Sequence, residues 1–440
     1  MLRNAVLLLL LLLCVSCDGL VAQEPGSNWP QFRGPLGTGE APKANPPIEW
    51  GEDNNVRWKV PLPGLGHSTP VVWGDRIFVT TAVPFGAKFP GKPDTAPGAH
   101  DNLRVTQRHS YAAIAINRKD GSVVWKKRLN ANVPHEGAHN TASLASASPV
   151  CDAKHVFAYF GSHGLYCLDH DGEVVWNKNL GTMQSKHAHG EGASPALHGD
   201  TLIVNWDHEG QSFIVAYDKN TGNQRWKLDR KEVTSWSSPI VIRHKDQTQV
   251  IVCGSNRIRA YEIETGKVIW SCAGLSNNVC ATPVYGDGVL LAGSSYDTRN
   301  FMGIKVDGAG GDITGTKQVL WSRRQGPPYV PSPLLYRGAV FYLRHYQGVL
   351  SRLNAKSGSP APGQIRLPTI TDVYSSPVAA AGRVYITDLR GTTRVMEAGA
   401  DAKFLARNRL EDSFSATMIL VDDEIILRGR KYLYCIAEDL

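Results

Sequence analysis

One short phrase, a Ser or Thr followed by Pro at the opening of an apolar strand, recurs along the chain and fixes its architecture before any single residue is weighed. It stands at Ser68-Thr69-Pro70, Ser148-Pro149, Ser194-Pro195, Ser238-Pro239, Thr282-Pro283, Ser332-Pro333 and Ser376-Pro377. Neighbouring prolines lie 79, 46, 44, 44, 50 and 44 residues apart. A period in the forties, with room for four short strands per unit, is that of a β-propeller blade. The long first interval marks an insertion in blade 1.

The unit from Ser194 to Arg230 shows the pattern: SPALHG, TLIVNW, SFIVAYD and QRWKLDR read as strands A to D. His198-Gly199-Asp200 and Lys219-Asn220-Thr221-Gly222-Asn223 supply the turns. A Gly-x-x-x-Trp phrase closes several units, from Gly121 to Trp125, Gly172 to Trp176, Gly222 to Trp226 and Gly266 to Trp270. These tryptophans, with Trp58 and Trp321, are expected to wedge between neighbouring blades, where sheets diverge and a large ring fills the gap. The last unit, Ser413 to Leu440, has three strands and no closing Trp strand; Asn54 to Val60 supplies one from the other terminus. The expected fold is therefore all-β. It is an eight-bladed β-propeller of four-stranded antiparallel blades over 54–440, with the N-terminal strand completing the last blade and leaving no open sheet edge. Residues 23–53 form an N-terminal extension, and 84–109 the blade 1 insertion.

The Ser-Pro openings, the Thr-Gly-x-x-x-Trp endings at Thr221-Gly222 and Thr265-Gly266, and the eightfold count resemble the pyrroloquinoline-quinone (PQQ) repeat superfamily. The opening Asn28-Trp29-Pro30-Gln31-Phe32-Arg33-Gly34-Pro35 is similar to that of exported PQQ-like propellers of planctomycetes. The resemblance covers nearly the whole chain after residue 27. It implies relatives of two kinds: quinoprotein alcohol dehydrogenases, and the propeller lipoprotein of the outer-membrane barrel-assembly machine. Fold does not choose between them.

Arg3 followed by an apolar run from Ala5 to Leu13 is expected to be a signal-peptide core, too short to span a bilayer. Val15-Ser16-Cys17 resembles a lipobox, which would leave Cys17 lipidated after residues 1–16 are removed. Cleavage near Val21-Ala22-Gln23, removing 1–22, is the alternative. Either way the protein is expected to be exported, in the periplasm or at the outer membrane, with no transmembrane helix after processing. The formal charge of +7 is spread through interspersed acids and bases, which argues against nucleic acid and weakly for an anionic neighbour. Six cysteines beyond the leader are too few for a disulfide framework. Buried free thiols are the default, and Cys272 with Cys280 is the one pair suspected of bridging.

Chemistry is expected on one face. With alternating strand directions, the loops before strand A and between strands B and C share a face of the disc. Ten of the fourteen histidines fall there: His67, His100, His109, His135, His139, His163, His187, His189, His208 and His345. His155, His170, His198 and His244 belong to the opposite turns. His135-Glu136 with His139, His187 with His189 and Glu191, and Asp207-His208-Glu209 come from three loops that should converge beside the channel, with Arg230, Ser235 and Trp236 next on the rim. Imidazole beside carboxylate suits a transition metal, proton transfer, or hydrogen bonding to a sugar. His187, His189 and Asp207 are the metal candidates. Solvated loop residues around a water-filled channel are the alternative for all of them. Trp236 is either a stacking platform or packing. The insertion, rich in Pro and Gly, is placed to fold over the mouth.

The resemblance to dehydrogenases meets missing parts. There is no vicinal Cys-Cys and no Cys-x-x-Cys-His, and no Walker loop, dinucleotide fingerprint or Gly-x-Ser-x-Gly. The expected function is a non-catalytic envelope scaffold that binds a protein or polysaccharide as a monomer. A PQQ- and calcium-dependent oxidoreductase acting on alcohols or sugars is one alternative, and a carbohydrate- or metal-binding module the other.

Overall fold

The computed structural model describes residues 27–91 and 93–438; the leader and Cys17 lie outside them. Eight antiparallel sheets form the blades. Seven follow in chain order over 71–132, 150–178, 196–230, 240–272, 284–323, 334–366 and 378–409. In the eighth, Ile419–Val421, Glu424–Arg428 and Tyr432–Ile436 are completed by Val56–Pro61, paired antiparallel with Tyr432–Ile436. The ring is closed as the repeat pattern predicts. The fourth blade carries a fifth strand, Gly311–Asp312, lent by the fifth blade and parallel to Val268–Cys272.

The recurring Ser/Thr-Pro phrase has a structural role beyond marking the period. The backbone N–H of each Ser or Thr donates to the hydroxyl of its counterpart in the next blade. Thr69 donates to Ser148, Ser148 to Ser194, Ser194 to Ser238 and Ser238 to Thr282, at 2.9, 2.9, 2.9 and 3.1 Å. Thr282 donates to Ser332, Ser332 to Ser376 and Ser376 to Thr417, at 3.0, 2.9 and 2.9 Å. The following proline has no N–H to compete, and the chain of bonds ties the innermost strands around the axis. At the seam between the last and first blades, buried Arg428 donates to the hydroxyl of Ser68. Burial without a carboxylate pushes its pKa down to about 9.

The tryptophans bind the outer parts of the blades together. The indole N–H of Trp58, Trp125, Trp176, Trp226 and Trp321 donates to a backbone carbonyl of the following blade: Arg118, His170, Lys219, Ile263 and Ala355, at 2.8–3.0 Å. The ring lies over the glycine of that blade's C–D turn. At Gly222 (φ 70°) a Cβ would come within 2.7 Å of Trp176. Trp270 departs from the pattern: its N–H donates to Gln249 Oε1 in its own blade, beside the strand added by the fifth blade.

The N-terminal extension crosses the face opposite the histidines. Trp29 exchanges backbone hydrogen bonds with Val72 of blade 1, and Pro30 O accepts from Cys151 of blade 2. The chain then reaches blade 6, where Thr38 O accepts from Leu335, and blade 7 through Gly39 and Ala41. Arg33, wholly buried, donates to Thr38 O and Pro333 O. Phe32 points into the channel from this side, so the bore is closed at one end. Trp29 and Trp50 join the core of the first, seventh and eighth blades. No helix among the described residues is long and apolar enough to cross a membrane. Cys272 and Cys280 are both free thiols, so the suspected bridge is not formed; Cys272 is buried, whereas Cys280 lines the channel.

Candidate functional site

The channel is a well of about 400 Å³ opening on the histidine face. The ring hydroxyls line its wall, and its mouth has two unlike sides.

Blades 1 to 3 supply the histidine side. Strands Arg76–Phe85 and Arg108–Asn117 carry the insertion, which folds back over the mouth. Asn102–Leu103 pairs with Ala138–His139, and Asn102 Nδ2 donates to His187 O (2.7 Å) and to Asp94 (2.9 Å). Three imidazoles are tethered through Nδ1: His100 to Gly98 O (2.7 Å), His187 to Pro97 O (3.0 Å) and His189 to Asn102 Oδ1 (2.9 Å). The ring centres of His100, His187 and His189 stand 4.8–5.3 Å apart, and His139 lies 4.8 Å from His189. Burial and the neighbouring imidazoles push His189 down to about 4, so that ring is neutral near pH 7. His187 and Ala188 both adopt positive φ, 57° and 55°. Consecutive left-handed non-glycine residues cost on the order of 1–3 kcal/mol each and persist where surrounding contacts impose them.

Blades 5 to 7 supply the aromatic side. Tyr329 stacks on Tyr296 (6.2 Å) and meets His345 (5.1 Å), which contacts Tyr346 (4.6 Å) and Tyr374 (5.1 Å). Tyr296 and Tyr346 are 46% and 47% exposed. Sorting histidines alone by loop overlooks these tyrosines; sorting all aromatic residues by the same rule finds them.

Beside the channel, between blades 2 and 3, lies a small cavity of about 30 Å³. His135, Glu136 and Glu191 border it, and one ligand atom from each lies within 4.8 Å of the others. Glu191 accepts from the Ser162 backbone N–H (2.6 Å) and from its hydroxyl. The carboxylate lies against Gly161, where any Cβ would overlap it. Glu136 accepts from the backbone N–H and hydroxyl of Ser185. His135 Nε2 is 2.8 Å from Met183 O and 3.7 Å from Glu191. Burial raises the pKa of both acids, that of Glu191 to about 7. Trp236, donating to Gly190 O at 2.7 Å, forms part of the wall shared by cavity and channel.

The structure does not bring Asp207 to His187 and His189. Its carboxylate is 0% exposed and takes two hydrogen bonds from Arg230, at 2.7 and 2.9 Å, with Ser235 Oγ at 2.9 Å. A fully buried carboxylate answers to the nearest cation, and Arg230 sits directly across its own blade. His208 Nδ1 accepts from the Gly210 N–H of its own loop and from the Gln184 N–H of the loop between blades 2 and 3, and Glu209 accepts from the Thr234 N–H. His163 stacks on Tyr111 at 4.1 Å. Thus His139, His187 and His189 meet at the mouth, His135, Glu136 and Glu191 beside it, and Asp207 with Arg230 forms a separate buried pair.

These features define a closed eight-bladed propeller with a blind, histidine- and tyrosine-rimmed well. The chain belongs to the family described as outer membrane protein assembly factor BamB, whose model matches residues 85–211 and 210–439. It is 22% identical over 385 residues to polyvinylalcohol dehydrogenase of a Pseudomonas species, covering 73% of this chain and 55% of the relative. It is 24% identical over 197 residues to tetrathionate hydrolase of Acidithiobacillus ferrooxidans, covering 41% and 36%. The chain spans about half or less of the length of these curated relatives. BamB from Moraxella catarrhalis aligns with a TM-score of 0.55 at 14% identity, over 81% of this chain and 98% of that one. A europium-containing methanol dehydrogenase aligns with a TM-score of 0.63 at 13% identity, over 93% and 91%. Quinohemoprotein alcohol dehydrogenase from Comamonas testosteroni gives 0.62 at 11% identity, over 94% and 81%. The structural likeness is one of fold, shared by assembly factors and dehydrogenases alike.

Proposed function

We propose that this chain is an exported, non-catalytic binding propeller of the cell envelope, whose loop face holds a segment of a partner protein. The observation that carries this reading is the composition of the well. Its lining is rich in hydroxyls, imidazoles and aromatic rings, with no Lys or Arg among the described residues that line it; exposed Tyr296 and Tyr346 stand at the rim, with Lys186 and Arg344 over their rings. Tyrosine rings and hydroxyls suit a polypeptide or a sugar polymer, offering flat apolar area with hydrogen bonds at low entropic cost. A ring tied at its inner strands and at its outer tryptophans is a rigid platform for such a partner.

The rival reading, a PQQ- and calcium-dependent dehydrogenase, draws support from the dehydrogenases among the similar proteins. The donor set does not favour it. A quinone bearing several carboxylates with a calcium ion calls for cationic side chains and free acidic ligands. Among the described residues, the one carboxylate lining the well is Glu191, already bonded to Ser162, and the one cysteine is Cys280. Calorimetry of the mature protein with PQQ, with and without calcium, separates the readings. No heat is expected. Calcium-dependent binding tighter than about micromolar would overturn the scaffold reading. In parallel, envelope partners recovered with the wild type should be lost with Tyr296→Ala/Tyr346→Ala. Recovery of polysaccharide instead would transfer the site to a glycan.

A further inference from the structure

The side cavity between blades 2 and 3 has features that a partner-binding surface does not need. His135, Glu136 and Glu191 come from two different inter-blade loops. Among the described residues they form the one group of three or more His, Cys, Asp or Glu side chains whose ligand atoms all lie within 4.8 Å. Two carboxylates are held together there. Among the described residues neither forms a salt bridge with a lysine or arginine, although the chain carries a net charge of +7. Holding two half-buried acids side by side without a cation is unfavourable, even with the exposed His135 beside them.

The cavity also holds polar atoms left over. Tyr159 and Asn205 line it, are 2% and 1% exposed, and their Tyr159 hydroxyl and Asn205 Oδ1 have no hydrogen-bond partner. Asn205 Nδ2 is engaged by Asp207 at 3.2 Å, which fixes the amide's orientation. Buried polar atoms without partners are rare and call for an occupant such as a water or an ion. The space, about 30 Å³, is of the size that holds one small occupant. Both acids are oriented by hydrogen bonds from Ser162 and Ser185, as metal ligands commonly are by an outer shell.

We infer that this cavity is a binding site for a single divalent transition ion of the zinc or manganese class, held by His135, Glu136 and Glu191, that clamps the loops of blades 2 and 3 beside the mouth. An imidazole among the donors favours such an ion over calcium or magnesium, which prefer all-oxygen sets. The ion neutralises the two acids, and the orphaned oxygens of Tyr159 and Asn205 lie in the same cavity. The site's donors are other than the His100, His187 and His189 cluster, although Glu191 and Trp236 also line the well, so the cavity and the well share a wall.

The test is metal analysis and titration of the full mature protein after chelation and dialysis, with Zn²⁺, Mn²⁺ and Ca²⁺ as probes. The expected result is one equivalent of Zn²⁺ or Mn²⁺, weak or no Ca²⁺ binding, and a rise in Tm that saturates at one equivalent. Glu191→Gln should weaken binding by more than the roughly 10–100-fold that loss of an outer-shell partner costs. His187→Ala should leave it unchanged. Glu136→Gln and His135→Asn serve should Glu191→Gln fail to fold, with circular dichroism as the check. Equal binding by wild type and the cavity variants, loss of binding in His187→Ala, or no stoichiometric ion in the wild type would overturn the inference. So would a Glu191→Gln protein as stable as the ion-saturated wild type, since that would assign the acids to a shared proton.

Discussion

The indole N–H of Trp176 donates to Lys219 O of the next blade at 2.8 Å, while its ring covers Gly222 of the same turn. The Gly-x-x-x-Trp phrase is thus a two-ended latch, its tryptophan reaching forward and its glycine receiving the ring behind. Gly222→Ala places a methyl 2.7 Å from that ring at φ 70°. The expected cost is about 2–3 kcal/mol, from left-handed strain plus the clash. Trp176→Ala should cost about 3–5 kcal/mol. Because both disrupt one contact, the double variant should be clearly less destabilised than the sum of the two, read by urea unfolding.

Ser194→Ala removes the acceptor of the Ser148 N–H, leaving a buried donor unpaired. The expected loss is about 1–3 kcal/mol. Ser194→Thr should restore most of it, since Thr282 and Thr417 perform the same role at other blades. Equal stability of the Ala and Thr variants would remove the inner hydrogen-bond chain from the account of closure.

Asp207→Asn should destabilise by about 3–5 kcal/mol, because Arg230, 1% exposed, would be left charged and buried beside Tyr261. Replacing both members by apolar residues of similar volume should recover much of that loss. Metal content should be unchanged by the paired replacement if the ion binds through His135, Glu136 and Glu191.

Stability should fall on acidification below about pH 6.5. His163 is 7% exposed, stacked on Tyr111 and close to His135, and its pKa is pushed down to about 3 by burial and then by neighbouring histidines. Between pH 3 and the ordinary 6.5 the unfolded chain binds a proton that the folded chain does not. The contribution is therefore complete above about 6.5 and declines as pH drops toward 3. Urea midpoints at pH 7.5 and 5 should differ accordingly, and less so in His163→Gln.

Legibility in the sequence was greatest where the physics is local and repeated. The Ser/Thr-Pro period, the Gly-x-x-x-Trp endings and the unpaired strand Asn54 to Val60 specified eight blades and their closure. Strand alternation then put the histidines on one face, and His139, His187 and His189 do meet at the mouth. The tryptophans pack between blades, Trp270 included, in the core that joins blades 4 and 5; only its N–H departs, turning to Gln249 of its own blade beside the lent strand Gly311–Asp312.

What the period cannot encode is which loop tips touch. Asp207 lies in the expected loop region, yet Arg230 across the same blade captures it, a side-chain pairing that depends on strand register and depth of burial. Glu191 meets Glu136 and His135 only because two inter-blade loops fold toward a gap left by Gly161. The blind end of the well arises from residues 27–53 crossing from blade 1 to blade 7, contacts more than 300 residues apart in places. The sequence by itself determined the ring, its number of blades and its polar face, because each blade repeats one short pattern that short-range packing can satisfy. Only the tertiary structure decided the partners of the charged residues, since those depend on desolvation and on the meeting of irregular loops from different blades.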